Sequence, residues 1–280
     1  MRTQVLEALH DIEARHDVTV LFACESGSRG WGFASPDSDY DVRFIYVNRL
    51  PWYLTVTPGR DVIEVPISGD LDINGWDLRK ALGLLRESNP TLLEWLRSPI
   101  VYREESEVMA RFRALAEQTF SSVKGWHHYA SMAKKNFREH LQADEVRYKK
   151  YLYVLRPLLA ARWIRTQPGV PPMRFAELAQ HTLDAARDAA LIAEINALLE
   201  VKMRAGEAAT SPRWPGIHAF IEAELARNAA EPVQALPVPG NAALDAAAVE
   251  SVQRAGKFPS APKGLGGGSF SFSLPISFSR

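Results

Sequence analysis

The chain has 280 residues, 46% hydrophobic and 24% charged, an ordinary composition for one large or two modest folded domains that excludes a wholly disordered chain or a collagen-like fibre. Its 33 Lys and Arg balance 33 Asp and Glu, so a uniformly basic nucleic-acid coat is excluded, though a local basic patch is not. A single cysteine, Cys24, excludes an intrachain disulfide and a Cys-rich zinc site, and no stretch reaches the roughly 18 consecutive apolar residues of a membrane-spanning helix.

Val5, Leu6, Leu9, Ile12 and Ala14 recur near helical spacing, which predicts an amphipathic helix over 3–16. Met1-Arg2-Thr3-Gln4 leads into it without the apolar core of a signal peptide, so the chain reads as a soluble cytoplasmic protein. Val18-Thr19-Val20-Leu21-Phe22-Ala23-Cys24 is a β-branched and apolar run, the mark of a buried strand. It stops at Glu25-Ser26-Gly27-Ser28-Arg29-Gly30, where glycine permits a sharp turn. Beyond a polar loop at 35–38, a second strand is expected over 40–47, with Val42, Phe44 and Tyr46 alternating with Asp41, Arg43 and Ile45. Short strands at 61–66 and 70–73 flank a turn at Ser68-Gly69. From Trp76 the period is helical, with Leu78, Ala81, Leu82 and Leu85 on one face.

After Asn89-Pro90 the chain reads mostly as helix to about Asn228, punctuated by Pro157, Pro168, Pro171, Pro172, Pro212 and Pro215. From about 229, Ala, Pro, Gly and Ser dominate, which predicts a flexible tail. The expected fold class is α+β: a mixed α/β part over 1–115, an all-helical basic part over 116–228, and the tail over 229–280.

Asp39 and Asp41 are two apart, so on a strand both side chains emerge on one face. Adjacent carboxylates disfavour each other's ionisation. A divalent cation resolves that conflict; Mg²⁺ (or Mn²⁺) takes one or two carboxylates plus substrate phosphates. The turn at Gly27-Ser28 is suited to those phosphates, because backbone N–H groups in such turns form an anion-binding concavity. The Ser28 hydroxyl adds a donor and Arg29 adds charge.

An apolar strand, Gly27-Ser28, a short spacer and Asp39-Tyr40-Asp41-Val42 on a second strand together resemble the nucleotidyltransferase superfamily related to DNA polymerase β. The longer run from Glu25-Ser26-Gly27-Ser28-Arg29-Gly30-Trp31-Gly32-Phe33 to Ser38-Asp39-Tyr40-Asp41-Val42-Arg43 resembles one subgroup, the YcgL-like, RNA-repair-pathway-associated polymerase-β-like family. Leu71-Asp72-Ile73-Asn74-Gly75-Trp76 and Tyr148-Lys149-Lys150-Tyr151 support it, and the resemblance spans roughly residues 5–225.

The resemblance implies a nucleotidyltransferase domain with a short mixed sheet, followed by helices, that moves an NMP from an NTP to a hydroxyl. It implies three carboxylates for two metal ions, about 3.5–4 Å apart in such sites. Asp39 and Asp41 match the first two. Asp72 ranks first for the third, ahead of Asp77 and Glu64; an acid at the start of a helix, such as Asp77, also serves the helix dipole without catalysis. Gly27 and Ser28 would grip the β- and γ-phosphates. An RNA end is the acceptor that the resemblance suggests; a protein or small-molecule hydroxyl, or an inactive RNA-binding module, are the alternatives. Retention of Ser28, Asp39 and Asp41 argues against lost catalysis.

Residues 121–165 carry ten Lys and Arg against three acids, a local charge of +7, with interleaved aromatics. Lys134, Lys135, Arg138, Lys149 and Lys150 are the favoured contacts to a triphosphate or an RNA backbone, which position a nucleic acid without reading its sequence. His127-His128 diverge by about 100° on a helix and read as structural or phosphate-facing. Cys24 reads as buried and inert, and Glu94 as structural.

Overall fold

A computed structural model of the chain describes residues 1–206, 209–233, 246 and 249–250. The first part runs α1 (Arg2–His16), β1 (Val18–Glu25), α2 (Gly27–Trp31), β2 (Tyr40–Asn48), α3 (Leu50–Tyr53), β3 (Val62–Glu64), β4 (Leu71–Asp77), α4 (Leu78–Arg86), α5 (Pro90–Leu96), β5 (Val101–Glu104) and α6 (Ser106–Thr119). Its strands form one sheet in the order β3-β4-β2-β1-β5. β2 and β4 pair in parallel, and the other pairs are antiparallel.

This sheet is covered on both faces, which is why β1 reads as a continuous apolar run. Val5, Leu9 and Ile12 of α1 pack with Val18, Val20, Ala23, Val42, Phe44 and Tyr46. Leu21, Phe22, Cys24, Ile45 and Val47 face the opposite way, onto α4, α5 and α6. Burial raises the Cys24 thiol pKa far above its ordinary range, so the side chain stays a neutral core group.

The second part comprises α7 (Ser122–His140), β6 (Glu145–Arg147), α8 (Tyr148–Thr166), α9 (Phe175–Thr182), α10 (Ala189–Arg204), β7 (Thr210–Pro212) and α11 (Pro215–Ala230). These helices share a core centred on α8, whose Tyr151, Leu152, Val154, Leu155, Leu158 and Leu159 are buried. The mixed-then-helical order agrees with the α+β expectation.

Several local expectations need correction. Gly27-Ser28 does not form an open turn; the chain makes one helical turn, Gly27–Trp31. β4 continues through Trp76, which stacks on Trp95 with ring centroids 3.8 Å apart, and the next helix starts at Leu78. β5, β6 and β7 interrupt the stretch read as helix.

Pro157 does not end a helix; α8 runs through it. Proline lacks the N–H that would bond the carbonyl four residues back, and here that carbonyl, Tyr153 O, accepts from Asn136 Nδ2 at 2.9 Å. Helix α11 extends to Ala230, and the expected tail lies almost wholly outside the described residues.

Candidate active site

Asp41 and Asp72 are direct neighbours in the parallel pairing of β2 with β4. The Arg43 guanidinium sits between their carboxylates, donating to Asp41 Oδ1 and to Asp72 Oδ2 at 2.8 Å each. It also donates to the carbonyls of Val42 at 3.0 Å and Asp72 at 3.1 Å. The other Asp41 oxygen faces the turn after β1: a Cβ built on Gly27 would lie 1.9 Å from Oδ2. Gly27 has φ +56°, a left-handed conformation that side chains disfavour. Position 27 therefore needs glycine for two separate reasons.

Backbone bonds hold the turn against the acid. Ser26 N–H donates to Asp41 O at 2.8 Å. Asp41 N–H donates to Glu25 Oε1 at 2.8 Å, and Tyr102 O–H donates to Glu25 Oε2. Glu25 is fully buried, and desolvation raises its carboxyl pKa despite those two donors.

Asp41 titrates above the ordinary carboxylate range. Burial is the main cause; Asp72 and Asp39 add to it, and Arg43 opposes it. Asp39, Asp41 and Asp72 thus act on one another here, with the Arg43 guanidinium between the last two. This all-oxygen donor set suits a hard divalent cation, which takes few carboxylates and completes its shell with water and phosphate oxygens. Among the described residues no group of three or more His, Cys, Asp or Glu could hold a metal ion.

Asp39 is exposed one residue before β2 and contributes charge to Asp41. Ser28 is largely buried in α2. Arg29, expected on phosphates, lies over the Tyr40 ring at 3.7 Å and donates to the carbonyls of Ser38 and Asp39 at 2.7 and 3.1 Å. It therefore clamps the segment carrying Asp39.

Of the three acids weighed for the third position, Asp72 is the one beside Asp41. Asp77 lies five residues on, about 17 Å along a strand. It is buried as the N-cap of α4, accepting from Arg79 N–H, Tyr53 O–H and Asn48 Nδ2. Glu64 is exposed on β3 and pairs with Arg60.

The basic stretch divides. Arg156 pairs with Glu94 at 2.6 Å, Arg162 with Glu224 at 3.3 Å and Asp188 at 3.9 Å, and Lys124 with Glu87 at 2.8 Å. Acids from other parts of the chain thus neutralise much of the local +7. Lys134, Lys135 and Arg138 are exposed on α7, Lys135 at 3.8 Å from Glu139. Lys149 and Lys150 open α8, where Lys150 Nζ meets His140 Nε2 at 3.1 Å. Burial, with Lys149 and Arg147 nearby, lowers the Lys150 pKa; burial and Lys150 lower that of His140.

Aromatic rings connect this end of α8 to α2. Lys150 Nζ is 5.3 Å from the Tyr153 ring, whose edge meets Trp31 at 5.5 Å, and Trp31 closes α2. Trp31 Nε1 donates to Glu94 Oε2 at 3.1 Å, and Arg156 also donates to Met173 O. Gly30 passes between these groups, since a Cβ there would meet Met173 Cε at 2.6 Å and Glu25 O at 2.9 Å.

Arg43 and Glu25 were missed as site residues. Arg43 follows the second aspartate by two and so shares its face, which was a readable signal. The role of Glu25 depends on Tyr102, 77 positions away, and no local pattern announces it.

Comparison with known proteins gives the family of the chain. The model of the RNA repair pathway DNA polymerase beta family matches residues 1–248. The chain is 46% identical over 227 residues to YcgL of Bacillus subtilis (strain 168), covering 81% of this chain and 86% of that one. A nucleotidyltransferase-like protein from Exiguobacterium sibiricum 255-15 aligns in structure over 79% of this chain and 74% of its own, at 12% identity and a TM-score of 0.31. The carboxylates abutting a glycine turn thus occur in a sequence matched along nearly its whole described length, and the chain belongs to the RNA repair pathway DNA polymerase beta family.

Proposed function

We propose that the protein transfers an NMP from an NTP to a hydroxyl acceptor, with an RNA end as the acceptor. The observation that carries this reading is the contact of Asp41 with Gly27, with Asp72 alongside in register. It puts acids for a cation next to the start of α2, the segment that would meet the phosphates. Asp39 and Asp41 would hold Mg²⁺ or Mn²⁺. When bound, the ion offsets charge on the triphosphate and on the leaving pyrophosphate.

The residues of the chain do the rest by positioning and electrostatics. Gly27 and Ser28 would grip the β- and γ-phosphates, and Lys149 and Lys150 of α8 would add positive charge. The acceptor oxygen bonds to the α-phosphorus while the bond to pyrophosphate breaks, its electron pair leaving with pyrophosphate. The hydroxyl proton passes to Asp72 Oδ1, the oxygen that Arg43 does not hold. Exposed Lys134, Lys135 and Arg138 favour a polyanionic acceptor over a neutral small molecule.

The test is incubation of the full chain with each labelled NTP, Mg²⁺ or Mn²⁺, and in turn RNA oligonucleotides, tRNA or a protein extract. Label on RNA is expected, and Asp39→Ala with Asp41→Ala should abolish it. Label on protein would redirect the acceptor. Transfer that survives the double substitution would refute the site, and RNA binding with no transfer would leave a binding module.

A further inference from the structure

Arg43 occupies the space between the Asp41 and Asp72 carboxylates. Its guanidinium bridges Asp41 Oδ1 and Asp72 Oδ2 and is tied to two backbone carbonyls as well. The side chain is only 15% exposed. An arginine cannot leave by giving up its proton, since it stays charged at any working pH. The two oxygens of Asp41 face different surroundings: Oδ1 accepts from Arg43, which also holds Asp72, and Oδ2 faces the Gly27 turn.

We infer that this nucleotidyltransferase site takes one divalent cation, on the Asp39 and Asp41 Oδ2 side, and that Arg43 serves as the fixed cation on the Asp72 side. The inference rests on the nucleotidyl-transfer reading. One guanidinium nitrogen, Nη2, donates to both carboxylates, so Arg43 does what a metal would do for the Asp41–Asp72 repulsion. It cannot bind the acceptor oxygen as a Lewis acid. The triphosphate side then depends on metal, while the acceptor side depends on Arg43 for charge and on Asp72 for the proton. Arg43 acts here as a positioning residue and counter-ion.

The test counts bound Mn²⁺ by electron paramagnetic resonance, with the full-length protein saturated by an NTP analogue carrying a methylene bridge between the α- and β-phosphorus. One Mn²⁺ per bound nucleotide is expected for the natural chain and two for Arg43→Gln. Asp72→Asn should leave the count at one, with affinity within about 3-fold, whereas Asp41→Asn should weaken Mn²⁺ at least 10-fold. Two ions on the natural chain, or loss of the single ion in Asp72→Asn, would overturn the inference while leaving nucleotidyl transfer intact. No nucleotide-dependent Mn²⁺ on any of these proteins would overturn the nucleotidyl-transfer reading itself, and the inference with it. Circular dichroism identifies a misfolded Arg43→Gln, in which case Asp72→Asn, judged by the same count, decides the matter.

Discussion

Gly27 and Asp41 touch across the end of the sheet so closely that one methyl group on the glycine would lie 1.9 Å from the carboxylate oxygen. The acid cannot move aside freely. Its backbone is paired to β4 and bonded to Ser26 N–H and Glu25 Oε1. Gly27→Ala therefore combines a left-handed backbone, about 1–2 kcal/mol for an L-residue, with displacement of Asp41. A total loss of roughly 2–4 kcal/mol is expected in urea melts. Nucleotidyl transfer should fall about 100-fold or more, since an ångström of misplacement has that effect. Normal transfer by Gly27→Ala would show that the contact does not position the acid.

The raised pKa of Asp41 makes the site destabilising at neutral pH. A carboxyl whose folded pKa lies above its unfolded value contributes stability that is complete below the unfolded pKa, roughly 3.9. That contribution is lost as pH rises through the folded pKa. Above that point the charged, buried group weakens the fold. Asp41→Asn keeps an oxygen for Arg43 and removes the charge. Its melting temperature should exceed that of the parent at pH 7 to 8, and the gap should close on acidification toward about pH 4. The opposite pattern, a parent more stable at neutral pH, would mean that the Arg43 pairing outweighs desolvation.

Local periodicity made the sheet readable, while distant pairing stayed hidden. Val42, Phe44 and Tyr46 alternate with Asp41, Arg43 and Ile45 because one strand face meets α1 and the other meets α4 to α6. The Gly27-Ser28 and Asp39-x-Asp41 segments were visible because sharp turns and paired acids have few residue choices. β5 has four residues, and β6 and β7 have three each and lie more than sixty positions apart. Such strands exist through their partners, so their own sequence carries little signal. Pro157 misled for the same reason, because the donor that satisfies Tyr153 O belongs to another helix. The charge of residues 121–165 counted only neighbours along the chain, whereas Glu94, Glu224, Asp188 and Glu87 offset part of it in space.

The Glu94–Arg156 pair links α5 to α8, and through Trp31 to α2. Both side chains are buried, and the pair is 2.6 Å long. Removing one partner leaves an uncompensated charge, so Arg156→Met should lose roughly 3–5 kcal/mol. Glu94→Leu combined with Arg156→Met should recover much of that, because buried apolar replacements approach the stability of the pair. Transfer should remain impaired in the double variant, since Trp31 Nε1 has lost its Glu94 acceptor. Urea melts read the first effect and labelled-NTP assays the second. A double variant no more stable than Arg156→Met would show that the site cannot repack.

Lys134 and Arg138 lie one turn apart on α7 and are exposed, so they share one helix face. If RNA lies along that face, each charge releases counterions on binding, and the salt dependence reports how many. For single-stranded RNA the slope of log affinity against log salt is about 0.7 per neutralised phosphate, so Lys134→Ala with Arg138→Ala should flatten it by roughly 1.4. Lys124 is the control, because Glu87 already holds it at 2.8 Å. Lys124→Ala should change the slope much less. Fluorescence anisotropy of a labelled oligonucleotide across a KCl series measures both. An unchanged slope in the double variant would move the RNA track off α7, toward Lys149 and Lys150 at the start of α8, and the same series run on Lys149→Ala with Lys150→Ala would then locate it.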